Sequence, residues 1–143
     1  MRQLTEFEKG FLVGLIEGHN AISLLNNKHA DRTEANHAVP AITLCGQKPF
    51  VERLMRIVPG SRIVKAGNVG EKRHLEVWTW FISRQSVVRE LLPQIIEHLV
   101  VNRERADVVL RFLEARSRCG RREPYGEAEL TAIADFAKLK RGH

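Results

Sequence analysis

Residues 12–20 read Leu-Val-Gly-Leu-Ile-Glu-Gly-His-Asn, and the fold turns on how this stretch is read. From Thr5 to about Gly18 the pattern is helical. Phe7, Phe11, Leu12, Leu15 and Ile16 recur at three- and four-residue intervals and make an apolar stripe. Thr5 followed by Glu8 has the spacing of a capping box. Three glycines, Gly10, Gly14 and Gly18, recur at every fourth residue and so share one face. A glycine inside a helix costs ~1 kcal/mol relative to alanine, so three in register need a reason. A face without Cβ atoms lets another backbone approach closely. The approaching surface is either the chain's own sheet or another helix, and a helix–helix contact is the favoured reading.

Working outward, Asn20–Asn27 reads as a strand, with Ile22 and Leu24 facing one way and Ala21, Ser23 and Leu25 the other. Lys28–Ala35 is polar and reads as a loop. Asn36–Gly46 is a second strand, in which Pro40 implies an edge position or a bulge. Gln47–Val58 is an amphipathic helix stopped by Pro59-Gly60. Ser61–Ala66 and His74–Ile82 form a hairpin around the turn Gly-Asn-Val-Gly-Glu-Lys. A helix capped by Ser83 follows and is interrupted near Pro93. Another runs from about Val101 to Arg116. The arginine-rich stretch Arg118–Gly126 precedes a last helix over Glu127–Lys138. The order is α-β-β-α-β-β-α with further helices, an α+β chain without internal repeats.

At 143 residues the chain fits one domain with a real core. Residues 1–117 read as its body and 118–143 as a basic C-terminal extension of the same domain. Hydrophobic residues make up 43% and charged residues 28%, an ordinary globular balance. No apolar run approaches the ~18 residues a membrane span requires, and the first ten residues lack the order of a signal peptide. Cys45 and Cys119 have no partner at metal-ligand spacing and read as reduced thiols. These features fit an intracellular protein of the cytoplasm, the nucleoid or an organelle, with no membrane partner. The net charge of +6 favours a polyanionic partner, because each cation that neutralises a phosphate releases counterions. A solvated basic surface explains the same charge.

The stretch Leu12–Asn20, with Ala-Ile-Ser-Leu after it, resembles the signature of the LAGLIDADG homing-endonuclease family in its common form ending Glu-Gly-Asp-Gly. The resemblance extends over roughly residues 5–117. It takes in Phe7 and Phe11, the strand with Ser23, Gln47-Lys48 before the helix with Leu54, the Gly-turned hairpin, Leu91–Pro93, and Asn102-Arg103-Glu104-Arg105-Ala106. It implies a homing-endonuclease-like α-β-β-α-β-β-α fold with a curved four-stranded antiparallel sheet. It also implies a homodimer, in which Gly10, Gly14 and Gly18 meet a second copy of the helix. The sheet would then enter the major groove of a pseudo-palindromic duplex. Ser23, Leu25, Asn27, Lys28, Arg62, Lys65, Lys72 and Arg73 become the DNA-contacting candidates. Some family members act as maturases, so RNA is a second possible partner.

Chemistry departs from the pattern at the eighth motif position. Nuclease members place there an acidic residue that, with backbone carbonyls, holds Mg²⁺ beside the scissile phosphate. Here it is His19, and the ninth position, usually Gly, is Asn20. Imidazole suits hard Mg²⁺ poorly. The family-equivalent catalytic positions are His19, Glu17, Gln47 and Asn102, and the metal positions His19, Glu17 and Gly18. The expectation is a DNA-binding homodimer with cleavage lost or impaired. The alternatives are an active divalent-metal endonuclease using His19 and Glu17, with Mn²⁺, Ni²⁺ or Zn²⁺ suiting imidazole better than Mg²⁺, and a maturase-like RNA-binding protein.

Overall fold

The computed structural model describes residues 1–28, 36–68, 76–120 and 123–141. Helix α1 spans Glu6–His19, strands β1 and β2 span Ile22–Lys28 and Asn36–Gly46, and helix α2 spans Lys48–Ile57. Strands β3 and β4 span Arg62–Asn68 and Glu76–Ile82. Helices α3, α4 and α5 span Gln85–Ile95, Arg103–Ser117 and Glu127–Arg141. The chain is α+β, and its four antiparallel strands lie in the order β1-β2-β4-β3.

Local chemistry sets the boundaries. Thr5 caps α1 as a complete capping box: Glu8 N–H donates to Thr5 Oγ1 at 3.1 Å and Thr5 N–H to Glu8 Oε1 at 2.9 Å. The Arg2 guanidinium beside Glu8, with the Thr5 N–H, pulls the Glu8 carboxyl down to about 2. Helix α3 departs from the sequence reading in two ways. Its N-cap is Arg84 rather than Ser83, and it runs through Pro93 to Ile95 before a 3-10 turn at Ile96–His98. Proline removes one backbone donor near the helix end, and burial of Leu91, Leu92 and Ile95 holds the turn around it.

The helices cover one face of the sheet. Ile22, Ile42 and Ile82 pair across three strands, as do Ile63, Trp80 and Leu44. All but Ile63 are buried, beneath Leu12 and Ile16 of α1, Leu54 of α2, Leu91 of α3 and Phe112 of α4. Pro40 lies in β2, an inner strand, yet β4 pairs with β2 only from Ile42 onward. The bond from Thr43 N–H to Ala21 O sets the alternation with β1. It turns residues 38 and 40 away from β1, toward an edge that β4 does not reach. Proline offers no donor there, and the Ala38 N–H donates to Tyr125 Oη at 3.0 Å. The expected edge is therefore local, and the C-terminal segment closes it.

That segment is tied into the core. Ala132 and Phe136 of α5 are buried, and α5 packs on α4 and β1. Tyr125 meets Phe112 edge-on at 5.6 Å. Arg116 and Glu129, with side chains 10% and 2% exposed, form an ion pair at 2.7 Å.

Candidate functional site

Helix α1 buries Leu12 and Ile16 against the core. On its other side Gly10, Gly14 and Gly18 are exposed, and a Cβ added at any of them meets nothing within 4 Å. The chain's own sheet therefore does not fill the glycine face. Phe7, expected within the buried stripe, is 66% exposed, because it stands seven residues before Gly14 and shares that face. Phe11 sits at the margin, 6.1 Å from Phe7, 6.5 Å from Phe50, and under the Arg53 guanidinium at 5.7 Å.

At the C-terminal end of α1 the backbone turns sharply. Asn20 adopts φ 48°, ψ 51°, and its N–H donates to Ile16 O. It is the one non-glycine residue with positive φ among those described, a conformation that asparagine tolerates better than most. His19 is exposed in the last helical turn, where a cation interacts favourably with the helix dipole.

Glu17 lies two residues back and points to α4. Its carboxylate accepts from Val101 N–H at 2.8 Å and Asn102 N–H at 3.0 Å, and from Asn102 Nδ2 at 3.4 Å. Burial pushes this carboxyl up, but the backbone donors of Asn102 and Val101 outweigh burial and hold it below the usual range. Glu17 thus caps the start of a distant helix. Asn102, the α4 N-cap, is fully buried, and its Nδ2 also faces Ile16 O at 3.3 Å and Asn20 Oδ1 at 3.4 Å. Those three acceptors fix the amide orientation and leave Oδ1 unpartnered. Gln47 stands between β2 and α2, exposed, as an N-cap whose side chain makes no capping bond. Glu17, Asn20 and Asn102 are thus brought together beside His19.

The resemblance implies Mg²⁺ at this end of α1, and the residues present do not fit it. Glu17, the nearby carboxylate, is committed to α4, and the side chain at the motif's eighth position is an imidazole. No group of three His, Cys, Asp or Glu suited to a metal occurs among the described residues.

The second candidate surface is the uncovered face of the sheet. Register and alternating burial place Ser23 and Leu25 of β1 on it, with Thr43 and Cys45 of β2, Thr79 and Phe81 of β4, and Arg62 and Val64 of β3. Lys65 alternates to the helix-covered side, level with Trp78, where its Nζ bonds Glu76 at 3.3 Å. Asn27 and Lys28 are described as backbone at the end of β1, while Lys72 and Arg73 lie outside the described residues. The sequence reading missed Val100 and Val101, 80% and 53% exposed, which Glu17 anchors beside the end of α1. Two adjacent valines before a polar helix start were the available signal.

No protein-family model and no curated protein sequence matches the chain. Solved structures do match in fold. The homing endonuclease I-CvuI, in complex with the I-CreI target with magnesium present and the DNA not cleaved, is similar at TM-score 0.66 and 11% identity, over 96% of this chain and 80% of that one. The archaeal intron-encoded homing endonuclease I-Vdi141I, complexed with DNA, gives 0.67 and 11%, over 96% and 82%. The homing endonuclease I-TnaI gives 0.65 and 12%, over 99% and 88%. Against the meganuclease I-SmaMI bound to uncleavable DNA, 94% of this chain covers 44% of that chain. The chain has the fold of homing endonucleases.

Proposed function

We propose that this protein is a homodimeric, LAGLIDADG-type duplex-DNA-binding protein in which cleavage is lost or impaired. The observation that carries the reading is the bare face of α1: three glycines in register, at which an added Cβ meets nothing among the described residues within 4 Å, beside an exposed phenylalanine. A second copy of α1 supplies the close partner such a face accommodates. Pairing α1 with α1 would set two open sheet faces side by side, the span needed to follow one pseudo-palindromic duplex. The coverage of less than half of I-SmaMI supports the same arithmetic, two copies of this chain corresponding to one longer chain.

Loss of cleavage is argued from the end of α1. His19 offers no hard oxygen donor, and Glu17 holds α4 in place. No phosphodiester step is derived through a metal that these residues do not fit. The DNA-contacting set under this reading is Ser23, Leu25, Asn27, Lys28, Arg62, Lys72 and Arg73, with Lys65 displaced from the base-reading face by the register.

The test is association and binding together. Sedimentation should give a dimer at micromolar concentration, and a ~20 bp pseudo-palindrome should bind with a steep fall in affinity as salt rises. A monomer, or binding indifferent to salt, overturns the proposal. Plasmid nicking in Mg²⁺ and Mn²⁺ that disappears in His19→Ala would instead establish the active-enzyme alternative. Preference for structured intron RNA over duplex DNA would establish the maturase-like one.

A further inference from the structure

The uncovered sheet face carries aliphatic and aromatic side chains among its polar ones. Leu25, Val39, Val64, Val77 and Phe81 project from it, and Leu25 and Val64 are 47% and 51% exposed. The register spreads them over the face: Leu25 stands opposite Val39 at one end, Phe81 opposite Arg62 and Thr43 in the middle, and Val64 opposite Thr79 toward the other end. Scattered exposed aliphatics need no explanation, whereas a set running across a sheet face does.

Charge selects the occupant. Among the described residues every carboxylate lies off this face, on helices, in the α4–α5 connection or, for Glu76, on the helix-covered side of β4. Arg62 is the one charged side chain on it among those described. A face free of negative charge and carrying a guanidinium suits a groove walled by phosphates. Side-chain chemistry then narrows how bases are read. Two-point hydrogen bonding needs Arg against guanine, or Asn or Gln against adenine. Among the side chains described on the face there is Arg62 and neither amide; Asn27, on the same side of β1 by register, is described as backbone alone. Of the hydroxyls on the face, Ser23 Oγ turns back to Ala41 O at 3.4 Å. Thr79 Oγ1 lies 3.6 Å from Cys45 Sγ, and exposed Thr43 offers a single hydroxyl that bonds different bases alike. The discriminating contact left to the exposed aliphatic side chains is apolar, and the apolar group a base pair presents in the major groove is the thymine C5-methyl.

We propose that this face selects thymine-rich half-sites by packing Leu25, Val64 and their apolar neighbours on thymine methyls, with Arg62 supplying the polar contact. The proposal rests on the reading of the protein as a duplex-binding dimer.

Sites selected by the purified protein from a pool of random ~30 bp duplexes are the probe, resynthesised with deoxyuridine in place of single thymidines. Uracil pairs as thymine does and lacks only the methyl. The selected half-sites should be rich in thymine, and one substitution at a contacted position should weaken binding about four-fold, the factor that ~0.8 kcal/mol per buried methyl-sized group gives. That penalty should vanish at one position in Leu25→Ala and at another in Val64→Ala. Both residues are exposed, so neither change endangers the fold. Arg62→Ala should weaken binding while the uracil penalties persist. Selected sites with no thymine preference and no response to uracil overturn the inference and leave duplex binding standing. Recovery of no duplex at low salt overturns both. Assembly beyond a dimer that Val64→Arg abolishes would seat a second copy on the face and also overturn it.

Discussion

At the scale of single residues, the end of α1 holds a division of labour between neighbours. Glu17 turns inward and His19 outward, separated by a single glycine that leaves the outer helix face bare. Removing the Glu17 carboxylate strands two backbone donors at the start of α4. We expect Glu17→Ala to lower stability in urea by ~0.5–2 kcal/mol, the range for loss of a helix cap, without changing duplex affinity once folded. His19 carries the opposite expectation. It is exposed in the last helical turn, so His19→Asp with Asn20→Gly should lower the melting temperature only modestly: the glycine takes the left-handed conformation without strain, while an anion meets the negative end of the helix dipole and Asn102 Nδ2 loses one of its three acceptors. Under the proposed function the double variant gains Mg²⁺-dependent plasmid nicking, and its continued inactivity on a bound target would count against the reading of position 19.

Among elements, α1 makes the sharpest distinction between folding and association. Replacing Gly14 with alanine adds a methyl that meets nothing within 4 Å among the described residues and improves helix propensity by up to ~1 kcal/mol. Gly14→Leu fills the same space further. A monomeric protein should be unaffected or stabilised by both, whereas an α1–α1 dimer should dissociate in sedimentation as the substituent grows. The start of α1 titrates. With the Glu8 carboxyl held at about 2 against an ordinary 4.5, the folded state binds its proton more weakly than the unfolded chain does. The capping contribution is therefore complete above about 4.5 and fades as pH falls toward about 2. The melting temperature of the wild type should converge on that of Glu8→Gln across this window, and parallel curves would rule out the linkage. Cap, glycine repeat and apolar stripe were all visible in the sequence because each depends on residues within one or two helical turns. The course of α3 was not: Pro93 signals a break locally, and burial of Leu91, Leu92 and Ile95 overrides it.

For the whole molecule, the core and the proposed binding surface lie on different faces of the sheet. The helix-covered side carries the core, closed at one end by the C-terminal segment through Tyr125 on the β2 edge and the buried Arg116–Glu129 pair. Arg116 also donates to the carbonyls of Gly120 and Glu123, so Glu129→Ala leaves a largely desolvated cation anchored in place. We expect a loss of ~3–5 kcal/mol, the range for breaking one side of a buried pair, read in chemical denaturation. Truncation before Glu127 should be worse, since it also removes Ala132 and Phe136 from the core.

By itself the sequence determined what short-range periodicity encodes: the elements and their order, the glycine face of α1, and a histidine, His19, where the resemblance implies a carboxylate. The family resemblance followed from these, since it too is written in contiguous residues. Tertiary structure alone decided which faces are covered. It turned Phe7 outward, sent Glu17 to a helix 84 residues further along the chain, moved Lys65 behind the sheet, and used Tyr125 to finish the edge of β2. These outcomes depend on strand register and on which helix packs over which face, quantities set by contacts between residues far apart in the chain and therefore absent from any local window of it.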